Sequence, residues 1–206
     1  RCIYLKLTQY NKKRNFEKTG EPEGRSFQKS AGRLKYAIQH HIASRDHYDL
    51  RLEWEGALKS WAVPKGPSFD PRDKRLAIAV EDHPLDYRDF EGIIPKGEYG
   101  GGTVMLWDEG WWEPLTDMGD SLKFVIHGKR LKGKWALVRM EENNWLLIKE
   151  RDGYAKSSAG ISGFDKSVLT GRKMAEIARV KNPFQNAAAQ LAKPVTGVPA
   201  GKDWLY

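Results

Sequence analysis

The chain has 206 residues and one cysteine, Cys2, so it fits one domain with tails and excludes a fold held by intrachain disulfides. Its hydrophobic fraction of 40% can supply a core, and its net charge of +8 favours a polyanionic partner such as nucleic acid. No apolar run approaches the ~20 residues of a membrane-spanning helix, and the N-terminus lacks a signal-peptide core, so we expect a cytoplasmic protein.

The first part of the chain, residues 1–30, is polar, basic and interrupted by Gly and Pro, which predicts an arm that lies over the surface or is partly disordered. From Leu34 to about Glu150, short alternating runs separated by turn residues predict strands. The predicted strands are LKYAIQHH, HYDLRLEWE, ALKSWAVP, RLAIAVE, GTVMLWD, LKFVIHG, KWALVRME and NWLLIKE. About eight short strands at these spacings favour a mainly β protein, as a compact barrel or a sandwich.

Gly56 and the pair Asn143-Asn144 each lie between two predicted strands and predict hairpin turns. Asp165 or Ser167 is expected to cap a short helix through SVLTGRKMAEIARV. The Ala-, Gly- and Pro-rich residues 181–206 predict a tail or linker. The sequence therefore predicts a β domain over residues 31–180, with one or two short flanking helices, between an arm and a tail.

The segment from His47 to Glu55 alternates polar and apolar residues without interruption. Because successive side chains of a strand point to opposite sides, the apolar residues face the core while His47, Asp49 and Arg51 share the other face. Residues two apart on one face are about 6.5–7 Å apart at Cα, so an imidazole and a carboxylate can converge on one cation.

His41 precedes a short connection that returns the chain antiparallel, which is expected to bring it close to His47 and Asp49. Two imidazoles and one carboxylate suit a divalent transition metal such as Mn²⁺ or Zn²⁺. His40 has the opposite phase and is interpreted as a packing or supporting residue. His127 lacks such neighbours and is predicted to be structural.

The alternation from Arg75 to His83 places Arg75, Glu81 and His83 in one phase. A guanidinium matches two phosphate oxygens, so Arg75 and Arg51 are candidate phosphate clamps. His83 is a candidate donor to a leaving oxygen.

Two further residues fit a phosphate site, although each also has an ordinary structural reading. The Tyr87 hydroxyl is either part of an anion site or the polar end of a core aromatic. Lys65 precedes a Pro/Gly turn and either holds a phosphate or is solvated. The run GIIPKGEYGGGT lacks the GKS or GKT ending of a nucleotide-binding loop, so residues 100–102 are predicted to form a turn between strands.

Four segments together closely resemble the 3′-phosphoesterase domain of bacterial and archaeal DNA ligase D: HHIASRDHYDLRLE, LKSWAVPKGPS, RLAIAVEDHPLDY and EGIIPKGEYGGGTVMLWDEG. The resemblance extends over roughly residues 10–180. It implies a small Mn²⁺-dependent β-barrel enzyme that acts on primer-template 3′ ends during DNA break repair, removing a terminal ribonucleoside and then the remaining 3′-phosphate. It also implies a DNA ligase and a Ku-like end-binding protein as partners, with the chain either a stand-alone form or an excised domain.

The resemblance also implies roles for individual residues. The implied metal ligands are His41, His47 and Asp49, and the implied catalytic and phosphate contacts are Arg51, His83 and Tyr87. The positions tied to removal of the 3′-phosphate are Lys65 and Arg75. The positions that support activity are Gln39, Glu81, Arg14 and Glu21. Asn15 departs from the family pattern, which has Asp beside this Arg.

Two other functions use similar residues. A non-haem iron oxygenase also has two His and one carboxylate, but it normally takes its second His from a distant strand and does not need an Arg-rich face. A catalytically silent module that binds nucleic-acid ends needs only charge and aromatic residues.

Overall fold

The computed structural model describes residues 7–24 and 32–180. Its α-helices are α1 (Thr8–Lys12) and α2 (Met174–Ile177). Its strands are β1 (Leu34–Ile42), β2 (Asp46–Trp54), β3 (Ala57–Val63), β4 (Lys74–His83), β5 (Gly92–Ile94), β6 (Gly102–Pro114), β7 (Ser121–Gly128), β8 (Lys132–Glu141) and β9 (Asn144–Lys149). A 3₁₀ helix, Leu85–Asp89, follows β4.

The strands form one antiparallel sheet in the order β1-β2-β3-β4-β9-β8-β7-β6, and pairing of β1 with β6 closes it into a barrel of eight strands. The short β5 adds to the first residues of β6 outside this ring. Closure pairs every strand of the ring on both sides, which removes the unpaired edges of an open sheet. The prediction of a mainly β barrel of about eight strands with short flanking helices is confirmed.

Large apolar side chains fill the barrel interior. Trp107, Trp112 and Trp135 are almost completely buried there, together with Leu50 and Leu52 of β2. Full burial of side chains of this size stabilises the fold by about 1.5–3 kcal/mol each. The alternation of β2 therefore placed its apolar residues correctly.

Both predicted hairpins are present. Glu55 (φ 48°) and Gly56 (φ 80°) form the two-residue turn between β2 and β3, and positive φ at both positions is the geometry that suits the twist of paired strands. The second turn consists of Glu142 (φ 41°) and Asn143, because Asn144 already begins β9.

The C-terminal helix is shorter than the sequence predicts. Only Met174–Ile177 is helical, and it begins after Lys173, whose backbone N–H donates to the Glu176 carboxylate (2.7 Å). Ser167 caps a separate turn, and Gly171 has a φ of 71°, which interrupts a right-handed helix. The expectation that Asp165 or Ser167 caps the helix is therefore wrong, and the predicted tail, 181–206, lies outside the described residues.

A second apolar cluster covers part of the outer wall of the barrel. Tyr10 of α1 is fully buried in it, with Leu58 of β3 and Tyr87 and Phe90 from the region of the 3₁₀ helix. Residues 7–24 therefore pack against the barrel. Within the described part of the chain, no helix has the length and apolar character needed to cross a membrane.

Candidate metal and phosphate site

The outer face of β1, β2 and β3 carries the candidate site. In the strand register His41 is opposite His47, Gln39 is opposite Asp49, and Arg51 is opposite Ser60. These side chains point away from the barrel interior because they alternate with the core residues of the same strands.

His41, His47 and Asp49 converge as strand alternation predicted. One ligand atom from each lies within 4.8 Å of the others. Nδ1 of His41 is 3.8 Å from Oδ2 of Asp49, and Nε2 of His47 is 3.5 Å from Oδ1 of the same carboxylate.

The chemistry of these three side chains fits a divalent transition metal. Nδ1 of His47 is 2.9 Å from the carbonyl oxygen of Arg45; donation to that oxygen leaves Nε2 with a free lone pair on the side of Asp49. Nε2 of His41 is buried and has no hydrogen-bond partner among the described residues, so this ring is not held on both nitrogens. Two nitrogens and one carboxylate form the mixed ligand set that such metals accept.

The Asp49 carboxyl is held in its charged form. Burial raises its pKa, but the Arg51 guanidinium and the imidazoles of His41 and His47 outweigh burial and hold the pKa well below its usual range. A buried carboxylate is therefore available to a cation at neutral pH.

Three partners fix the Arg51 guanidinium. Nη2 donates to Asp49 (3.2 Å), Nη1 donates to the Ser60 hydroxyl (2.8 Å), and Nε donates to the Gln39 side-chain oxygen (2.5 Å). Gln39 is itself held by donating to the carbonyls of Tyr87 and Phe90 (2.9 and 2.8 Å). The chain of contacts places a rigid cation beside the three candidate ligands.

The N-terminal segment supplies the opposite wall. Arg14 donates to Glu21 (2.9 Å) and to Glu81 (3.2 Å), and its Nη2 is 3.2 Å from Nε2 of His83. The Tyr87 hydroxyl donates to Glu21 (3.1 Å). Two guanidiniums, Arg14 and Arg51, therefore border one cavity from different parts of the sequence.

His83 lies between these two cations. Burial first, and then the positive charges of Arg51 and Arg14, lower the pKa of its imidazole well below the ordinary value. Its Nδ1 is 2.9 Å from the carbonyl oxygen of Glu81, which fits a neutral ring that donates from Nδ1 and accepts from Arg14 at Nε2.

A β-bulge in β4 brings His83 to this face. Ser60 pairs with Val80 and Leu58 pairs with His83, so three residues of β4 span the length of two residues of β3. The prediction of one common phase for Arg75, Glu81 and His83 is therefore wrong.

Ahead of the bulge, the phase of Arg75 is that of Ala77, which is buried in the barrel interior. Arg75 donates to Asp73 (3.1 Å), and Lys65 is exposed just after β3. Neither residue lines the cavity.

The cavity has a volume of about 270 Å³. The predicted site residues that line it are Arg14, Glu21, His41, His47, Asp49, Arg51, Glu81, His83 and Tyr87. Gln39 lies behind Arg51. Sequence reasoning missed Ser60, which holds Arg51, and Tyr99, which lines the cavity; the predicted hairpin turn at Gly56, which sets residue 60 opposite residue 51, was the available signal for Ser60.

A closed antiparallel barrel with a convergent His-His-Asp set and two guanidiniums on its outer wall defines a β-barrel protein with a candidate metal and phosphate site. Residues 39–139 match the family model described as the DNA ligase D 3′-phosphoesterase domain. These residues therefore belong to the DNA ligase D 3′-phosphoesterase domain family.

Relatives named for multifunctional non-homologous end joining cover most of this chain. The chain is 52% identical over 161 residues to the multifunctional non-homologous end joining protein LigD of Pseudomonas aeruginosa, covering 73% of this chain and 19% of the relative. It is 40% identical over 158 residues to the LigD protein of Mycolicibacterium smegmatis, covering 71% and 21%. It is 42% identical over 145 residues to that of Mycobacterium tuberculosis, covering 68% and 19%. The chain thus spans about one fifth of the length of these relatives.

Proposed function

We propose that this chain is a divalent-metal-dependent phosphoesterase that processes the 3′ ends of DNA and RNA strands in the repair of DNA breaks by non-homologous end joining. The convergence of His41, His47 and Asp49 with the Arg51 guanidinium in one cavity carries this proposal. The match to a 3′-phosphoesterase domain family supports the class of reaction and the 3′ end as its substrate.

The three candidate ligands would hold Mn²⁺, or alternatively Zn²⁺ or another divalent transition metal. When bound, the metal supplies a water of lowered pKa and neutralises charge on the scissile phosphate. Asp49 contributes the negative charge that favours the cation, and Arg51 keeps that carboxyl ionised.

Arg51 and Arg14 bind the phosphate from two sides and stabilise the charge that develops in the transition state. A water attacks phosphorus in line and loses one proton to solvent, and the bond to the leaving sugar oxygen breaks. His83 donates a proton to that oxygen. An arriving phosphate offsets the two guanidinium charges, which raises the pKa of His83 from its lowered value and equips the ring for this role.

Tyr87 contributes to the same anion site. Its ring lies 4.7 Å from the Arg51 guanidinium carbon, and its hydroxyl is held by Glu21. Gln39, Glu81, Arg14 and Glu21 support the reaction by fixing the two guanidiniums and Tyr87. The substrates are primer-template ends that carry a 3′ ribonucleotide, which the diester reaction removes, or a 3′-phosphate, which the monoester reaction removes.

A DNA ligase and a Ku-like end-binding protein are the proposed partners, because the relatives are named for multifunctional end joining. A protein that repairs DNA breaks works in the compartment that holds the DNA, so a cytoplasmic location is part of the proposal.

The deciding experiment is incubation with Mn²⁺ and a labelled primer-template that ends in a 3′ ribonucleotide. We expect the parent to shorten the primer and both His47→Ala and Asp49→Ala to abolish shortening. Asp46→Ala is the matched control, because Asp46 is an exposed carboxylate of the same strand that pairs with His40 instead (2.6 Å). Binding of the primer without shortening by the parent would support the silent end-binding module and overturn the proposal.

Lys65 and Arg75 are proposed to support removal of the 3′-phosphate, because they match the family positions tied to that reaction, although neither residue lines the cavity. We expect Arg75→Ala to reduce removal of a 3′-phosphate more than removal of a ribonucleoside. Equal losses in the two reactions would contradict this assignment.

A further inference from the structure

A second depression, of about 480 Å³, lies on the barrel wall beside the 3₁₀ helix, and we call it the basic groove. Its charged lining consists of four cations and one carboxylate: Arg33, Lys35, Arg88, Lys129 and Glu109. The excess of positive charge complements a polyanion.

Three planar groups in the lining of the basic groove lie against one another. The rings of Trp111 and His127 are parallel within 10° with centroids 3.6 Å apart, and Cζ of Arg33 lies 4.1 Å from the centre of the Trp111 ring. Two groups so close to one ring cannot share a face, so His127 and Arg33 cover opposite faces of Trp111. No face of this indole is left for a base, and its effect is to hold the Arg33 guanidinium in place.

The four cations of the basic groove differ in whether a nearby carboxylate already neutralises their charge. Lys129 pairs with Glu109 (2.6 Å), and Arg88 pairs with Asp89 (2.8 Å). In the described ranges, neither Arg33 nor Lys35 pairs with a carboxylate. A fixed guanidinium with unused donors matches the oxygens of a phosphate.

The basic groove adjoins the candidate active site. Arg88 directly follows Tyr87, which lines the catalytic cavity. Lys35 and Gln39 lie four residues apart on the same face of β1, which corresponds to about 13 Å along the strand. At about 3.4 Å per nucleotide of a duplex strand, this distance equals about four base pairs.

We propose that the basic groove binds the phosphodiester backbone of the nucleic acid about four nucleotides from the 3′ end held in the cavity. Binding is independent of base sequence, because the groove offers guanidinium and ammonium groups that match phosphate oxygens, and both faces of its indole are covered. This inference rests on the proposed function, since it takes the strand in the cavity to be nucleic acid.

The test compares two charge-reversal variants of the full chain. The groove variant combines Arg33→Glu with Lys129→Glu. The matched control combines Lys123→Glu with Arg139→Glu, which also reverses one Lys and one Arg, both exposed and both ion-paired (with Glu150 and Asp120), at the far ends of β7 and β8 from His127. Anisotropy of a labelled 20-base-pair primer-template, with chelator and over a range of KCl, measures binding apart from cleavage.

We expect the groove variant to bind the duplex at least about tenfold more weakly than the parent, and the salt slope to fall by about 2, because about one counterion is released per phosphate contact. The control variant should match the parent. Cleavage of the small diester bis(p-nitrophenyl) phosphate, which cannot reach the groove, should be equal in all three proteins.

An unchanged affinity and salt slope in the groove variant, or an equal loss in the control, would overturn the groove assignment. If the parent binds the duplex but cleaves neither substrate, the proposed function fails while the binding data still test the groove. If charge reversal disturbs folding, Arg33→Gln with Lys35→Gln tests the same surface, with weaker duplex binding expected and unchanged binding counting against the proposal.

Discussion

The two faces of β2 are buried to nearly the same extent but by different means. Leu50 and Leu52 are fully buried in the apolar interior of the barrel, while Arg51 and Glu53 on the other face are 2% and 1% exposed. The first face is buried by apolar packing in the barrel interior. The second face is buried because residues 7–24 and the 3₁₀ helix pack over the outer wall, and its polar groups are satisfied by hydrogen bonds.

The difference separates stability from chemistry within one strand. Burial of apolar area is the main favourable term in folding, while buried charges contribute little net stability once their desolvation is counted. We therefore expect the inner face to determine how stable the barrel is and the outer face to determine what it does.

The largest expected effect comes from comparing alanine variants of two neighbouring histidines, His40 and His41, which lie on opposite faces of β1. We expect His41→Ala to reduce the proposed 3′-end processing about 10³-fold, because loss of a proposed metal ligand would remove several kcal/mol of metal assistance. We expect His40→Ala to stay within a few-fold of the parent, since His40 stacks on Tyr48 (centroids 4.2 Å apart) outside the cavity. Steady-state kinetics of both variants decide the matter; similar losses would show that the two faces are not separable.

A substitution on the inner face of β2 should have the opposite effect, lowering stability and leaving activity unchanged. We expect Leu50→Ala to lower the free energy of unfolding by about 2–5 kcal/mol, because it opens a cavity in a fully packed interior. Activity per folded molecule should be retained. Urea unfolding and kinetics below the transition check both parts, and a lost activity in the folded variant would contradict the comparison.

The outer face should make stability depend on pH through His83. The pKa of this imidazole is lowered well below 6.5 in the folded chain, chiefly by burial and then by Arg51 and Arg14, so the unfolded chain takes up a proton first as the pH falls. Stability is therefore full above about pH 6.5 and decreases below it, by at most about 1.4 kcal/mol per pH unit.

His83→Gln should flatten this decrease. Urea unfolding of the parent and the variant between pH 7.5 and pH 5 measures the two slopes. Identical slopes would show that His83 does not contribute to the acid sensitivity.

The smallest effect is expected from a matched pair of buried hydroxyls. Tyr87→Phe removes a hydrogen bond to Glu21 (3.1 Å) in the cavity, and Tyr36→Phe removes one to Asp108 (3.0 Å) away from it. Each should lower the free energy of unfolding by about 1 kcal/mol, because each carboxylate keeps other donors. Only Tyr87→Phe should reduce the rate of processing. A comparable loss of rate in Tyr36→Phe would contradict a specific role of the Tyr87 hydroxyl in the cavity.

Alternation within a strand predicted the parts of the fold and of the site that depend on local geometry. The eight strands and the common face of His47, Asp49 and Arg51 follow from a period of two, which a single sequence displays directly. The return of His41 to the same place required only a short antiparallel connection.

Features that depend on distant parts of the chain were not visible in this way. Arg14 and Glu21 reach the cavity because residues 7–24 pack on the outer wall, and only the family resemblance indicated them. The sequence of β2 alone suggests that its polar face is exposed to solvent, because the residues that bury this face come from distant parts of the chain. The bulge in β4 has no signature among Val80, Glu81 and Asp82, so alternation misplaced Arg75.

That bulge makes the number of residues in β4 as consequential as their identity. If β4 paired without the bulge, Asp82 would be opposite Leu58 and His83 would point toward the barrel interior, so the one extra residue keeps the imidazole beside Arg14. Substitutions at residue 82 are therefore expected to disturb the site less than a change of pairing in this part of β4, because the bulge, and not the identity of the extra residue, sets the direction in which the imidazole points.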